Sequence, residues 1–302
     1  MLTSEEISRL FPQFKSIEYL CKGGQKEVFK VSVGTATEAL KIVEIPSDKD
    51  FMDVDDGDLL RSELLGRIDR EVKLLQKNLS PYLVKLGQVK PRAVQVKGIS
   101  YVIYSEEFID GKNLSEVIKR PNHKPAENEL KELLRCLFSI VKVLWSKFKA
   151  VHRDIKPQNI IKTAQAERPF VLLDLGIAFV TEGTNLTVNA SGRLPPATLK
   201  YIAPEMLISS DFRDKLDYRS DLYSAALTIY EYAAGKHPII ENISDALTPT
   251  IRAMNKNPQS LSKARPDLSI EFCETIDQYL KKTPALRPAN IDMVLKRMGG
   301  KK

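Results

Sequence analysis

The chain has 302 residues, 43% of them hydrophobic and 28% charged, with a net charge of +7; that length accommodates two lobes around a large core and excludes a mainly disordered chain. Lys and Arg are spread throughout the sequence, so the charge argues for a basic surface and against a nucleic-acid-binding stripe. Cys21, Cys136 and Cys273 form no close pair, which argues against a disulfide frame or a zinc site and for reduced thiols in a cytoplasmic setting.

The opening stretch, MLTSEEISRLF, lacks a basic start and an apolar run, so no secretory signal is expected. Residues 3–11 instead read as a short amphipathic helix capped by Thr3 or Ser4, with Ile7, Leu10 and Phe11 on a face that would dock on the body of the protein or else meet a partner, docking being the expectation. From Ile17 to Val33 the pattern alternates, giving two strands around a turn at Gly23-Gly24. A third strand follows from Glu38 to Ile45, where Lys41 stands among Ala39, Leu40, Ile42 and Val43. A lysine in such an apolar run needs a carboxylate partner. The candidate is Glu71, in a helical pattern from Leu60 to Leu79. The acidic stretch 48–58 between them reads as an exposed loop ahead of that helix. As a calcium loop it would place Met52 and Val54 where carboxylates are required.

Strands are expected at Leu83 to Val89, Ala93 to Val96 and Ile99 to Tyr104. Leu130, Leu133, Leu137, Val141, Leu144 and Phe148 then recur at helical spacing, and the charges among them make this helix unfit to span a bilayer. It leads into VHRDIKPQNI at 151–160, a run of polar groups between apolar anchors. There Asp154 can accept a proton, Lys156 can offer a compact positive charge, and Asn159 can supply an oxygen to a hard cation. That is equipment for moving a phosphoryl group onto a hydroxyl. Phe170 to Leu173 is a short strand that ends in Asp174-Leu175-Gly176, and 177–200 has no sustained period. Further helices are expected after residue 219, from Ile270 to Leu280 and from Ile291 to Met298.

The string HRDIKPQN resembles the catalytic loop of eukaryotic-type protein kinases, HRDxxxxN, and Lys156 resembles the serine/threonine branch. In the same order as in that family, EALKIV resembles the VAIK strand, REVKLLQ the regulatory helix, SEEFIDGKNL the hinge, Asp174-Leu175-Gly176 the DFG turn, and Ala203-Pro204-Glu205 the APE motif. The resemblance runs from about Tyr19 to Met298. It implies an α+β, bilobal kinase fold: a small antiparallel sheet lobe with one regulatory helix (1–106), a hinge (107–111) and a larger, mainly helical lobe (112–302), all one domain with ATP between the lobes.

The implied activity is transfer of the γ-phosphoryl group of ATP to protein Ser or Thr hydroxyls with Mg²⁺. Asp154 would take the hydroxyl proton, and Lys156 would stabilise charge on the moving group. Asn159 and Asp174 would hold Mg²⁺, while Lys41, braced by Glu71, would align the phosphates. Gly23 and Val28 stand in the glycine-rich loop, and main-chain groups of Glu107 and Ile109 would meet the adenine edge. Asp221 would bond the catalytic-loop backbone, Thr198 would brace Asp154 and Lys156, and Glu205 would pair with Arg287.

Arg153 goes with control by activation-loop phosphorylation in the family, with Thr181, Thr184, Thr187 and Ser191 as acceptors here. Two departures stand out: Cys21 and Lys26 replace the outer glycines of the loop, and Glu106 replaces an apolar residue or Thr beside the adenine pocket. They keep one alternative open, a pseudokinase scaffold that binds nucleotide and a partner; a second, a small-molecule kinase, shares the fold and the Asp/Asn chemistry but would not need the APE motif. The implied partners are a protein substrate and a second copy for autophosphorylation, with neither nucleic acid nor membrane.

Overall fold

The computed structural model of the chain describes residues 2–23, 26–46, 54–175, 179–180, 200–207, 216–239, 252 and 254–299. The described residues of 1–78 and 84–109 make one compact unit, and those of 79–83, 110–185 and 194–302 make another.

The first unit is built on a five-stranded antiparallel sheet in the order β1 (Phe14–Gly23), β2 (Lys26–Val33), β3 (Ala36–Ile45), β5 (Ile99–Glu107) and β4 (Arg92–Val96). Alternation assigns each side chain to a face. Phe29, Val31, Val33, Leu40, Ile42 and Ile103 point to one side, where Leu2, Ile7, Phe11 and Phe14 complete a core. The N-terminus of helix α1 (Ser4–Leu10) is closed by a capping box between Thr3 and Glu6. Arg92 adds a hydrogen bond of 2.7 Å to the Leu10 carbonyl and lies over the Phe11 ring. The predicted docking of this helix is therefore what the sheet's apolar face requires.

The other face, with Val43, Ile45, Val102 and Tyr104, packs on helix α2 (Val54–Leu75) through Leu64, Ile68 and Val72, spaced one helical turn apart.

Two expectations for this unit change. Helix α2 begins at Val54 and ends at Leu75, so residues 54–58 are helical and only the earlier part of the acidic stretch lies outside the described residues. The stretch 83–89 is not a regular strand: it makes single bridges, Leu83 with Leu172 and Leu86 with Glu106, and exchanges a few backbone hydrogen bonds with Ser105 and Glu107 of β5. Within it the buried carboxylate of Glu38 accepts from the Gln88 N–H at 2.9 Å and the Ser105 hydroxyl at 2.5 Å, so a side chain takes a donor that a strand ladder would use. Gly87 fits against that pair, since a Cβ there would lie 2.3 Å from Ser105 Oγ.

The second unit is mainly helical: α3 (Leu114–Ile118), α4 (Glu127–Phe148), α5 (Arg219–Ala234), α6 (Leu261–Ala264), α7 (Ile270–Tyr279) and α8 (Ile291–Arg297). Short strands β6 (Lys112–Asn113), β8 (Ile160–Lys162) and β9 (Phe170–Leu172) form one antiparallel sheet, and β7 (Ala150–Val151) pairs with β10 (Phe179–Val180). Helix α4 buries Leu130, Leu133, Leu137, Val141 and Leu144, as its period predicts, while Phe148 at its end is only half-buried. Helix α5 is buried on nearly every side, from Ser220 to Tyr230, wider than one apolar face; it is the central helix around which this unit packs.

Glu205 and Arg287 form a two-pronged ion pair at 2.5 and 2.8 Å, and Arg287 also donates to the carbonyls of Arg219, Lys281 and Lys282. The three cysteines are free. No helix among the described residues is long and apolar enough to cross a membrane.

Candidate active site

The loop that carries Asp154 is placed by the end of α4. Lys149 turns left-handed there (φ 49°), its N–H bonded to the Leu144 and Trp145 carbonyls, and drops the chain directly into β7. Asp221, in the first turn of α5, then pins the two residues after that strand. Its buried carboxylate accepts the N–H of His152 at 2.6 Å and of Arg153 at 2.9 Å. Arg153 adopts φ 70°, a conformation that costs a non-glycine residue about 1–3 kcal/mol. Two hydrogen bonds to a charged acceptor, at about 1.5–3 kcal/mol each, are enough to hold it. Burial pushes the Asp221 carboxyl above the usual carboxylate range, against the pull of His152 and the two N–H groups.

Pro157 opens a single 3-10 turn, Pro157–Asn159, that folds Asn159 back over Asp154. The Asn159 amide donates to Asp154 Oδ2 at 2.8 Å and to the Asp154 carbonyl at 2.9 Å. Lys156 Nζ donates to both Asp154 oxygens, at 2.7 and 2.8 Å. After β9 the Leu173 N–H bonds the Asn159 carbonyl at 2.7 Å, so Asp174, with φ 62°, follows from a point tied to Asn159. Among the described residues no three His, Cys, Asp or Glu side chains gather as a metal cluster. A carboxylate on Asp174 and an amide oxygen on Asn159 are hard donors, a set that suits Mg²⁺, which takes few protein ligands and completes its shell with phosphates and water.

In the first unit Lys41 is opposite Val28 on β2 and Tyr104 on β5, on the side that faces α2. Its ammonium lies 2.9 Å from Glu71 Oε1. It is also bonded to Glu106 Oε1, and all three side chains are buried. Lys26 stands 3.9 Å from the same Glu71 oxygen. Burial pushes the Glu106 carboxyl up to about 7, while Lys41 pulls it down. Sequence reasoning placed Glu106 beside the adenine pocket but missed its bond to Lys41. The signal was present in the register: Ala39 and Lys41 face Glu106 and Tyr104 across two strands, so Lys41 and Glu106 are diagonal neighbours on one face.

Gly23 ends β1, paired with Lys26, and Gly24 lies outside the described residues. The Glu107 N–H is donated to the Lys85 carbonyl at 2.9 Å, and Ile109 follows the end of β5. Gly176, Thr181, Thr184, Thr187, Ser191 and Thr198 lie outside the described residues. The structure thus gathers Asp154, Lys156 and Asn159 by side-chain contact and ties Asp174 to them through the backbone; separately, it gathers Lys41, Glu71 and Glu106.

A family model described as a protein kinase domain matches residues 14–297. Among curated proteins, the chain is similar to the dual specificity mitogen-activated protein kinase kinase mek-1 of Caenorhabditis elegans, 32% identical over 160 residues, 52% of this chain and 42% of that protein. It is similar to mitogen-activated protein kinase kinase 1 of Arabidopsis thaliana, 25% identical over 221 residues, 72% of this chain and 57% of that one. A bacterial relative is the serine/threonine-protein kinase pkn3 of Myxococcus xanthus, 27% identical over 241 residues, 76% of this chain and 40% of that protein. The chain spans between 40% and 57% of the length of these three relatives. A match over nearly the whole chain, on a five-stranded antiparallel sheet unit and a helical unit, places the chain in the protein kinase family, with that family's α+β fold.

Proposed function

We propose that the chain is an ATP- and Mg²⁺-dependent serine/threonine protein kinase. The observation that carries this reading is the Asp154 carboxylate, held by Lys156 and Asn159 within 2.8 Å on a loop pinned by Asp221. A carboxylate so fixed can orient a hydroxyl and take its proton as that oxygen attacks. Lys156, on the same oxygens, is placed to meet negative charge as it builds on the transferred group, and its fixed position means little reorganisation is needed. Asn159 and Asp174 would hold Mg²⁺, whose contribution when bound is to neutralise the phosphate oxygens. Lys41, braced by Glu71, would align the α- and β-phosphates. Gly23 and Val28 would cover them, and the Glu107 carbonyl and Ile109 main chain would meet the adenine edge.

The two compact units correspond on this reading to the family's small lobe (1–106) and large lobe (112–302), with 107–111 as the connection. The partners are a protein with Ser or Thr acceptors and a second copy of the chain. Control would run through phosphorylation at Thr181, Thr184, Thr187 or Ser191 and through Arg153. The setting is cytoplasmic.

The pseudokinase alternative draws on one observation, the bond from Lys41 to Glu106. Labelled ATP with Mg²⁺ and a casein-like protein, followed by phosphoamino-acid analysis, separates the readings. Phosphoserine or phosphothreonine that disappears in Asp154→Asn supports the kinase. Nucleotide binding without transfer favours a scaffold, phosphotyrosine refutes the serine/threonine assignment, and transfer only to a small hydroxylated molecule favours a small-molecule kinase.

A further inference from the structure

Two buried carboxylates share one lysine in the sheet unit. Lys41 Nζ is 2.9 Å from Glu71 Oε1 and is bonded on its other side to Glu106 Oε1, with side-chain exposures of 6%, 3% and 3%. Glu71 is the counter-ion expected of the fold. Glu106 is a second one, delivered by the register of β5 on β3. Among the described residues, the charged groups that act on it are Lys41 of β3, Glu71 of α2 and Lys26 of β2. Tyr104, on its own strand, lies 5.6 Å from the Lys41 ammonium, and Leu86 approaches it as an apolar bridge partner. With all four charged groups ionised the cluster is neutral, two ammonium groups against two carboxylates. An arriving polyphosphate then meets a Lys41 whose charge is already matched, and a second carboxylate that repels it.

We propose that Glu106 is a positioning residue that competes with the nucleotide phosphates for Lys41, so that nucleotide affinity is set by whether Glu106 carries charge. This deepens the kinase reading and rests on it. When Glu106 is neutral, its hold on Lys41 weakens, and Lys41, still bonded to Glu71, can engage phosphate. When Glu106 is ionised, binding must break its bond to Lys41 or place two anions on one ammonium. The burial that pushes the Glu106 carboxyl up to about 7 puts this change within the neutral range. Phosphate beside Lys41 raises that value further, so binding takes up a proton at Glu106, and affinity falls as pH rises.

The test is calorimetric binding of magnesium–ADP to the full chain between pH 6 and 8, for wild type and for Glu106→Gln, which keeps the shape and removes the charge. Wild type should bind about tenfold more weakly at pH 8 than at pH 6. Repeating the titration in buffers of different ionisation enthalpy should show uptake of about half a proton or more at pH 7.5. The variant should bind about tenfold more tightly than wild type at pH 8 and show a flat profile apart from the nucleotide's own titration. In steady-state assays the difference should fall on KM for ATP more than on kcat. A wild-type affinity that is flat with pH and without proton uptake overturns the proposal on wild-type measurements alone, even if the variant does not fold. A variant with unchanged or weaker affinity at pH 8 overturns it as well. Failure of both proteins to bind magnesium–ADP at any pH removes the kinase reading itself, and this inference with it.

Discussion

Replacing Asp221 should loosen the loop that carries Asp154, by an amount that depends on what is left behind. Burial pushes the Asp221 carboxyl up, so removing its charge relieves a desolvation cost, and on that ground alone a neutral residue could be tolerated. The N–H groups of His152 and Arg153, at 2.6 and 2.9 Å, decide otherwise, because the first stays buried and the second partly buried whatever replaces the acceptor. Asn keeps one acceptor oxygen and leaves one N–H facing an amide nitrogen, which costs about 1–3 kcal/mol. Ala leaves both unpaired and removes the support for the φ 70° of Arg153, so it should cost roughly twice as much. Equilibrium unfolding in urea reads these differences directly. Phosphotransfer by either variant should fall further than its unfolded fraction explains, since the loop relaxes within the folded protein. An Ala variant within about 0.5 kcal/mol of wild type, or an Asn variant as unstable as the Ala one, would refute the clamp.

Buried contacts elsewhere lead to further expectations. Arg287→Ala strands the Glu205 carboxylate and should cost about 3–5 kcal/mol by denaturant unfolding; Arg287→Lys should recover only part, since an ammonium cannot reproduce the two-pronged pair. Gly87→Ala forces a Cβ to within 2.3 Å of Ser105 Oγ and 2.7 Å of Glu38 Oε2, which should destabilise by about 1–3 kcal/mol. His237, pushed down to about 3 by burial, is held neutral between the Lys200 carbonyl and the Ile239 N–H. The unfolded chain therefore binds the extra proton first, and stability should decline as pH falls from 6.5 toward 3. A His237→Gln variant should show a shallower decline in acid unfolding curves, and an identical one would contradict the assignment.

The features legible in the sequence were mostly local. HRDIKPQN places Asp154 and Asn159 five residues apart, close enough for one turn to join their side chains. The period of α4 and the alternation of β2 each involve neighbours along a single element, so the pattern itself carries the burial. Contacts that depend on strand register were not legible in the same way. Glu106 meets Lys41 from 65 residues away, and Glu38 meets Ser105 from 67; neither pairing leaves a mark in the local pattern. The start of α2 was hidden because Gly57 and the aspartates around it are poor helix formers. The apolar stripe of Leu64, Ile68 and Val72, packed on the sheet, outweighs that propensity.

The most direct test of the role given to Asp154 compares Asp154→Asn with wild type in two measurements on the same preparations: single-turnover phosphoryl transfer to protein, and binding of magnesium–ADP. Because the carboxylate is assigned to the acceptor hydroxyl and not to the nucleotide, transfer should fall by about 100-fold or more while nucleotide affinity changes by less than about threefold. Transfer retained within a factor of about ten would contradict that assignment.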